Sequence, residues 1–299
     1  MIASKPPPFS FSLKRSRSAR GLVLILLCAL VPAGLRAELP PLGVGWDMVT
    51  KLQFVRAIDH FSEIAETQPE QAREAHLGLG VSFLNRQPKT RGTIEAAREN
   101  LQRVIDVNAG DDLGIRARYL LGRVEQIHRY EPDWEAAKAI YADLFTEHPE
   151  HLYAQLAKVR WATIHLYATG PHSDKRALLA EAQQLEDGLS HPVALRDYHL
   201  LMSGIYPNFD MDTAEDRAEI VRHLLAAQEA GIIKPGTRAN VFVRIAENAR
   251  LLEDYALAAE HYDLFLEEFR RDNRHGWVAE RRQEIEKHLT DHEEPGKDS

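Results

Sequence analysis

Four stretches of this chain carry one pattern, a small residue followed four positions later by a large apolar or aromatic one. They are Phe54-x2-Ala57-x3-Phe61, Ala97-x3-Leu101-x2-Val104, Ala137-x3-Tyr141-x2-Leu144 and Tyr255-x2-Ala258-x3-Tyr262-x2-Phe265. Residues four apart share one face of an α-helix, so each stretch predicts a helix that turns a small and a large residue to the same neighbour. The first and third run on to Pro69 and Pro149. Proline stops a helix because it has no N–H and clashes with the preceding turn. A chain of such units buries its core between successive hairpins, not around one centre.

The segments ahead of these stretches carry a second half-pattern. Leu79-Gly80 is followed three residues later by Phe83, Leu121-Gly122 begins the same motif, and Ile245-Ala246 takes that place before the fourth stretch. Gly80 and Gly122 would let one helix of a hairpin lie close to the other, and Ala97, Ala137 and Ala258 would do the same from the opposite side. From Ala246 to Ala258 is twelve residues, the spacing of an uninterrupted repeat. Gly80 to Ala97 is seventeen, which places an insertion at residues 86–90.

Together these residues resemble the tetratricopeptide repeat, whose signature is Trp-x2-Leu-Gly-x2-Tyr, then Ala-x3-Phe, then Pro. The resemblance runs from about Gln53 to Leu289. It is strongest at 113–149 and 240–270, and weakest at 151–230, where Leu201-Met202 and Ala218 match only loosely. No repeat has the leading Trp; His76 and Arg118 stand in its place in two of them. The resemblance implies an all-α fold, a right-handed α-solenoid of antiparallel helix pairs with about twelve helices. The helices are expected near 46–66, 71–86, 93–107, 113–130, 133–146, 150–168, 174–188, 192–206, 212–230, 237–252, 255–271 and 276–290. Ser173-Asp174 and the run from Asp210 to Thr213 read as N-caps, and Gly188 and Gly231 as C-terminal stops. The last helix, with Glu280, Arg281, Arg282, Glu284, Glu286 and Lys287, suits a polar end cap.

The ends read differently. Lys14, Arg15, Arg17 and Arg20 precede an apolar run from Leu22 to Val31, then Pro32 and small residues to Ala37. That order is the signature of a secretory signal peptide, so residues 1–37 are expected to be removed near Ala37 and the protein to be periplasmic or secreted. Retention as an anchor is the alternative, because Leu35 is bulky for its place; after cleavage no membrane span is expected. The single cysteine, Cys28, lies in this segment, so the remaining chain has no thiol for disulfides, metal or nucleophilic catalysis. Residues 291–299 read as a charged disordered tail.

The formal charge of −8 includes six Lys/Arg and no Asp/Glu in residues 1–37, so the rest of the chain stands at −14. Such a surface repels nucleic acid, and no nucleic-acid partner is expected. His148 with His151, and His288 with His292, have spacings that can place two imidazoles on one metal. They sit at a repeat boundary and beside the tail, without a His-Glu-x-x-His motif, and neither a metal nor a cofactor is expected. No nucleophile elbow or phosphate-binding glycine loop occurs. Trp134 and Trp277 start helices and are expected to pack.

A non-catalytic scaffold of the cell envelope is the function these features favour, with a role in envelope or outer-membrane assembly. An envelope hydrolase or glycan-processing enzyme on the same helical array is the alternative. In the repeat family the first helix of each pair faces a concave groove that binds peptides or partner helices. On 113–130 the groove stripe would be Arg116, Tyr119, Arg123 and Gln126, and on the next such helix Lys158, Trp161 and His165. Cations and aromatics there suit a protein or peptide partner with an acidic segment or a terminal carboxylate, because Arg binds carboxylate with two parallel hydrogen bonds.

Overall fold

The structure, a computed structural model, describes residues 40–168 and 174–291. The expected leader with Cys28, Ser173, His292 and the tail after Asp291 lie outside the described residues. Among the described residues thirteen α-helices follow one another: α1 Pro41–Thr50, α2 Phe54–Thr67, α3 Ala72–Asn85, α4 Arg91–Val107, α5 Asp112–Arg123, α6 Trp134–Glu147 and α7 Leu152–Tyr167. Then come α8 Lys175–Gln183, α9 Pro192–Asn208, α10 Ala214–Glu229, α11 Pro235–Leu251, α12 Tyr255–Glu268 and α13 His275–Asp291. A π-helical turn, Val124–His128, extends α5, and a 3-10 turn, Gln184–Glu186, extends α8. No strand occurs among the described residues.

The expected helix over 46–66 is two helices. Leu52 takes a positive φ of 59°, and the N–H of Gln53 returns to the carbonyl of Met48 at 2.9 Å. A left-handed residue with that six-to-one hydrogen bond is the Schellman way of closing a helix. The ends of α9 and α11 repeat it, with Asp210 and Glu253 at φ 58° and 61°. There Met211 N–H reaches Tyr206 and Asp254 N–H reaches Ala249. None of the three is glycine, which is why the break after α1 has no sequence signal. Asp174 and Thr213 cap α8 and α10 as expected, Thr213 in a reciprocal capping box with Asp216. Gly188 and Gly231 carry the positive φ expected of stops.

Successive helices pack as antiparallel pairs α1/α2 through α11/α12, with α9 resting on α7 beside the short α8 and α13 closing the end. The fold is all-α and solenoid-like. Helices α1, α3, α5 and α7 also each touch the next odd-numbered helix, so one layer is continuous from α1 to α9. The turns that leave α2, α6 and α12 share one hydrogen-bond form: Gln71 to Gln68, His151 to His148 and Asp272 to Phe269, each N–H to carbonyl at 2.9 Å. Val278 and Ile285 of α13 are buried, while Glu280, Glu284, Glu286 and Lys287 stay exposed, so α13 has the expected polar outer face.

The small residues work as close-contact positions. A Cβ at Gly80 would fall 2.7 Å from Leu101, and one at Gly122 2.5 Å from Tyr141. Phe61 is wedged between Gly45 of α1 and Gly78 of α3, where a Cβ would fall 2.4 and 2.5 Å from its ring. Ala57, Ala97, Ala137 and Ala258 are fully buried. Leucine at Ala137 or Ala258 should therefore overpack a helix contact and cost about 1–3 kcal/mol. Ala227, in the stretch with the weakest repeat match, is equally buried, so Ala227→Leu should cost as much and the half-buried Ala230→Leu less. Urea denaturation of the set checks this; an unchanged midpoint for Ala258→Leu would contradict it.

Candidate functional site

The stripe expected on α5 is partly sunk into the fold. Arg116, Tyr119 and Arg123 keep helical spacing, but Gln126 lies in the π turn, whose N–H of Arg129 returns to the carbonyl of Val124 at 3.2 Å. Widening the turn by one residue directs Val124, Glu125 and Gln126 inward together, and all three are buried. Tyr119 is buried too, its ring 6.1 Å from that of Tyr141 and edge-on to Tyr153 at 5.3 Å. The fully buried Tyr141 donates its O–H to Oε1 of Gln126 at 3.0 Å. Burial, reinforced by Tyr119, pushes the Tyr141 phenol above its ordinary range, so it stays a neutral donor. Tyr119 and Gln126 are thus packing residues whose polar groups meet other parts of the fold.

The cations around this aromatic cluster are half-buried. Arg116 pairs with Asp112 at 2.9 Å, and its guanidinium lies 5.7 Å from the centre of the Tyr153 ring. Arg160 of α7 donates from Nε to the Tyr119 hydroxyl at a long 3.5 Å. Arg123 has no carboxylate partner among the described residues, and its Nε is buried without a hydrogen bond. Beyond it, an open cleft is lined by Lys89, Arg91, His128 and Arg129, with Glu95 and Glu131 also on its wall. Lys89 Nζ donates to Nδ1 of His128 at 3.0 Å. Burial, then the charges of Lys89 and Arg123, hold the His128 imidazole down at about 4, so it is neutral near pH 7.

The second expected stripe faces another way. The buried positions Gly114, Ile115, Ala117, Tyr119 and Gly122 of α5 recur forty residues later in α7 as Ala154, Gln155, Ala157, Val159 and Ala162. In that register Lys158 and Trp161 correspond to Arg118 and Leu121, and the α5 stripe continues as Leu156, Val159, Thr163 and Leu166. Lys158 donates to the carbonyl of Asp187 at 2.6 Å, just as Arg118 donates to Glu147 at 2.5 Å. Trp161 stacks on His165 at 4.7 Å and lies 5.0 Å from Lys138 Nζ. His165 Nε2 is 3.1 Å from Glu181. Lys158, Trp161 and His165 therefore hold neighbouring helices and do not prolong the α5 stripe. Trp134 and Trp277, expected to pack, are 47% and 40% exposed.

His148 and His151 do not converge: they face Glu147 and Asp112 respectively. His288 stacks on Tyr255 at 4.4 Å. A different set comes together. Glu186 of the 3-10 turn, His199 of α9 and His223 of α10 each offer a ligand atom within 4.8 Å of the others. They are thirteen and twenty-four residues apart and come from three elements, so no local spacing announces them.

No protein-family model matches the chain, and no curated protein matches it.

Proposed function

We propose that this chain is an exported, non-catalytic scaffold of the tetratricopeptide type, periplasmic or secreted, that binds a protein or peptide partner through an acidic segment or terminal carboxylate. A role in assembling the envelope fits a thiol-free mature chain behind a cleaved leader, and N-terminal sequencing of the native protein reads that cleavage. The observation that carries the binding site is Arg123, a guanidinium without a carboxylate partner, whose charge, like that of Arg160, acts on the buried Tyr141 of the aromatic cluster. Most other arginines described above already hold a carboxylate, as Arg118 holds Glu147. A carboxylate reaching Arg123 would gain charge-assisted hydrogen bonds without first breaking an ion pair.

The test begins with capture of the partner from an envelope extract and measurement of its affinity. Replacing Arg123 and Arg160 together with Ala should weaken binding tenfold or more, since charge-assisted contacts contribute about 1.5–3 kcal/mol and ~1.4 kcal/mol is a factor of ten. Lys158→Ala, which removes a cation committed to the Asp187 carbonyl, should leave affinity unchanged. Helix content should survive in both. Equal affinity of the double variant and wild type would move the binding surface elsewhere.

A further inference from the structure

Glu186, His199 and His223 converge where the repeat match is weakest and where three successive elements must be held together. His199 is 5% exposed and His223 fully buried, while the Glu186 side chain is 32% exposed. The two Nδ1 atoms are 2.9 Å apart. The ring of Tyr198 stands edge-on to both imidazoles, 5.4 and 6.1 Å away. Neutral imidazole is the form that ligates metal.

We propose that Glu186, His199 and His223 form a binding site for one divalent transition-metal ion of the zinc class. Two imidazole nitrogens and a carboxylate are a zinc donor set, whereas magnesium and calcium prefer oxygen alone. Ligand atoms about 2.0–2.2 Å from zinc lie roughly 3.3–3.6 Å from each other in a tetrahedral site. One ligand atom of each residue already lies within 4.8 Å of the other two, so closing to that spacing requires side-chain shifts of an ångström or so.

Arg222 is the cation that now holds Glu186, one of the three ligands. Its guanidinium donates to Glu186 at 3.2 Å and to Nε2 of His223 at 2.9 Å. A guanidinium only donates, so Nε2 of His223 accepts and its proton sits on Nδ1, which donates to Nδ1 of His199. That leaves the proton of His199 on Nε2, 3.9 Å from Glu186. Glu186 therefore already faces a cation, and the Nδ1 atoms of the two imidazoles face each other across 2.9 Å. Arg222 is 44% exposed and has Glu219 at 3.0 Å as a second partner, so it can swing away when an ion enters. Glu219 then stands 4.0 Å from Nε2 of His223, placed to accept its proton and orient the ring. The bound ion would tie the turn after α8 to α9 and α10, a staple for a region without disulfides.

The test is titration of the full mature chain with zinc chloride, with cobalt chloride for the visible spectrum of a four-coordinate site and magnesium chloride as control. Wild type should take up one equivalent, gain thermal stability with zinc and not with magnesium, and show cobalt bands. His199→Gln, His223→Gln and Glu186→Gln should each weaken zinc binding tenfold or more. Glu186→Gln, on a partly exposed side chain, keeps the test open if the histidine variants fold poorly. Arg222→Gln, which removes the competing cation, should bind zinc more tightly, whereas His148→Gln with His151→Gln should leave that equivalent in place. Zinc uptake unaffected by Glu186→Gln, or Arg222→Gln binding no more tightly than wild type, overturns the proposal.

Discussion

Replacing Phe61 with alanine should destabilise the protein by about 3–5 kcal/mol, the cost of a large aromatic lost from a site that cannot collapse. The ring is fully buried and edge-on to Trp46 at 5.3 Å. Gly45 and Gly78 lie against its two sides, and glycine has no side chain with which to fill the space left behind. For a chain of this length the melting temperature should fall by roughly 10 °C. Putting the methyl group on the other partner, Gly78→Ala, should also destabilise, because the new Cβ would meet the ring at 2.5 Å. Denaturant titration measures both, and a loss below 1 kcal/mol for Phe61→Ala would refute the wedge.

Asp216→Ala should cost about 2 kcal/mol, from the loss of a capping box and of a two-pronged ion pair. Its carboxylate is 2% exposed, accepts from Arg176 at 2.6 and 2.9 Å, and accepts from the Thr213 N–H at 3.1 Å. The cost stays below that of stranding a buried charge because Arg176 is mostly exposed and returns to water. The hydrogen bonds from Arg176, then those from Thr213, hold the Asp216 carboxyl below its ordinary range. A carboxyl lowered on folding contributes its stability in full above its unfolded value near 4, and that contribution is lost as pH falls through the folded value. Asp111 and Asp272, held at about 2 chiefly by Arg73 and Arg274, act in the same direction. Stability should therefore fall between pH 4 and 2, and more gently in Asp216→Ala. An equal slope in that variant would remove Asp216 from the account.

What could be read in the sequence is what close packing demands locally. Ala97, Ala137 and Ala258 each show their role through a large partner four residues on, because both members of the contact lie on one helix face. The end of α1 was hidden since Leu52 adopts the left-handed conformation without being glycine. The π turn was hidden as well: nothing in Val124-Glu125-Gln126 distinguishes it from continued α-helix, yet it decides that Gln126 is buried. Aligning Trp161 with the α5 stripe failed because α7 repeats α5 at an offset of forty residues, which sets Trp161 opposite Leu121. Glu186, His199 and His223 belong to three elements, and only the stacking of α9 on α10 makes them neighbours.

The pairing of each helix with its successors also governs how such a molecule can come apart. Among the described residues the side-chain hydrogen bonds that reach furthest, Arg160 to Tyr119, Asn208 to Tyr167 and Arg244 to Ser203, span only forty-one residues. Among the described residues there is thus a sequence of short-range couplings, which favours fast nucleation at several places over one obligatory long-range closure. Melting can proceed from an end, one hairpin at a time, with amide exchange fastest in α1 and α13 and slowest in between. Deleting α13 would uncover Tyr262 and Phe265 of α12 and pass the role of terminal unit inward, so the apolar surface this helix covers, more than its own few contacts, sets its worth to the rest of the chain.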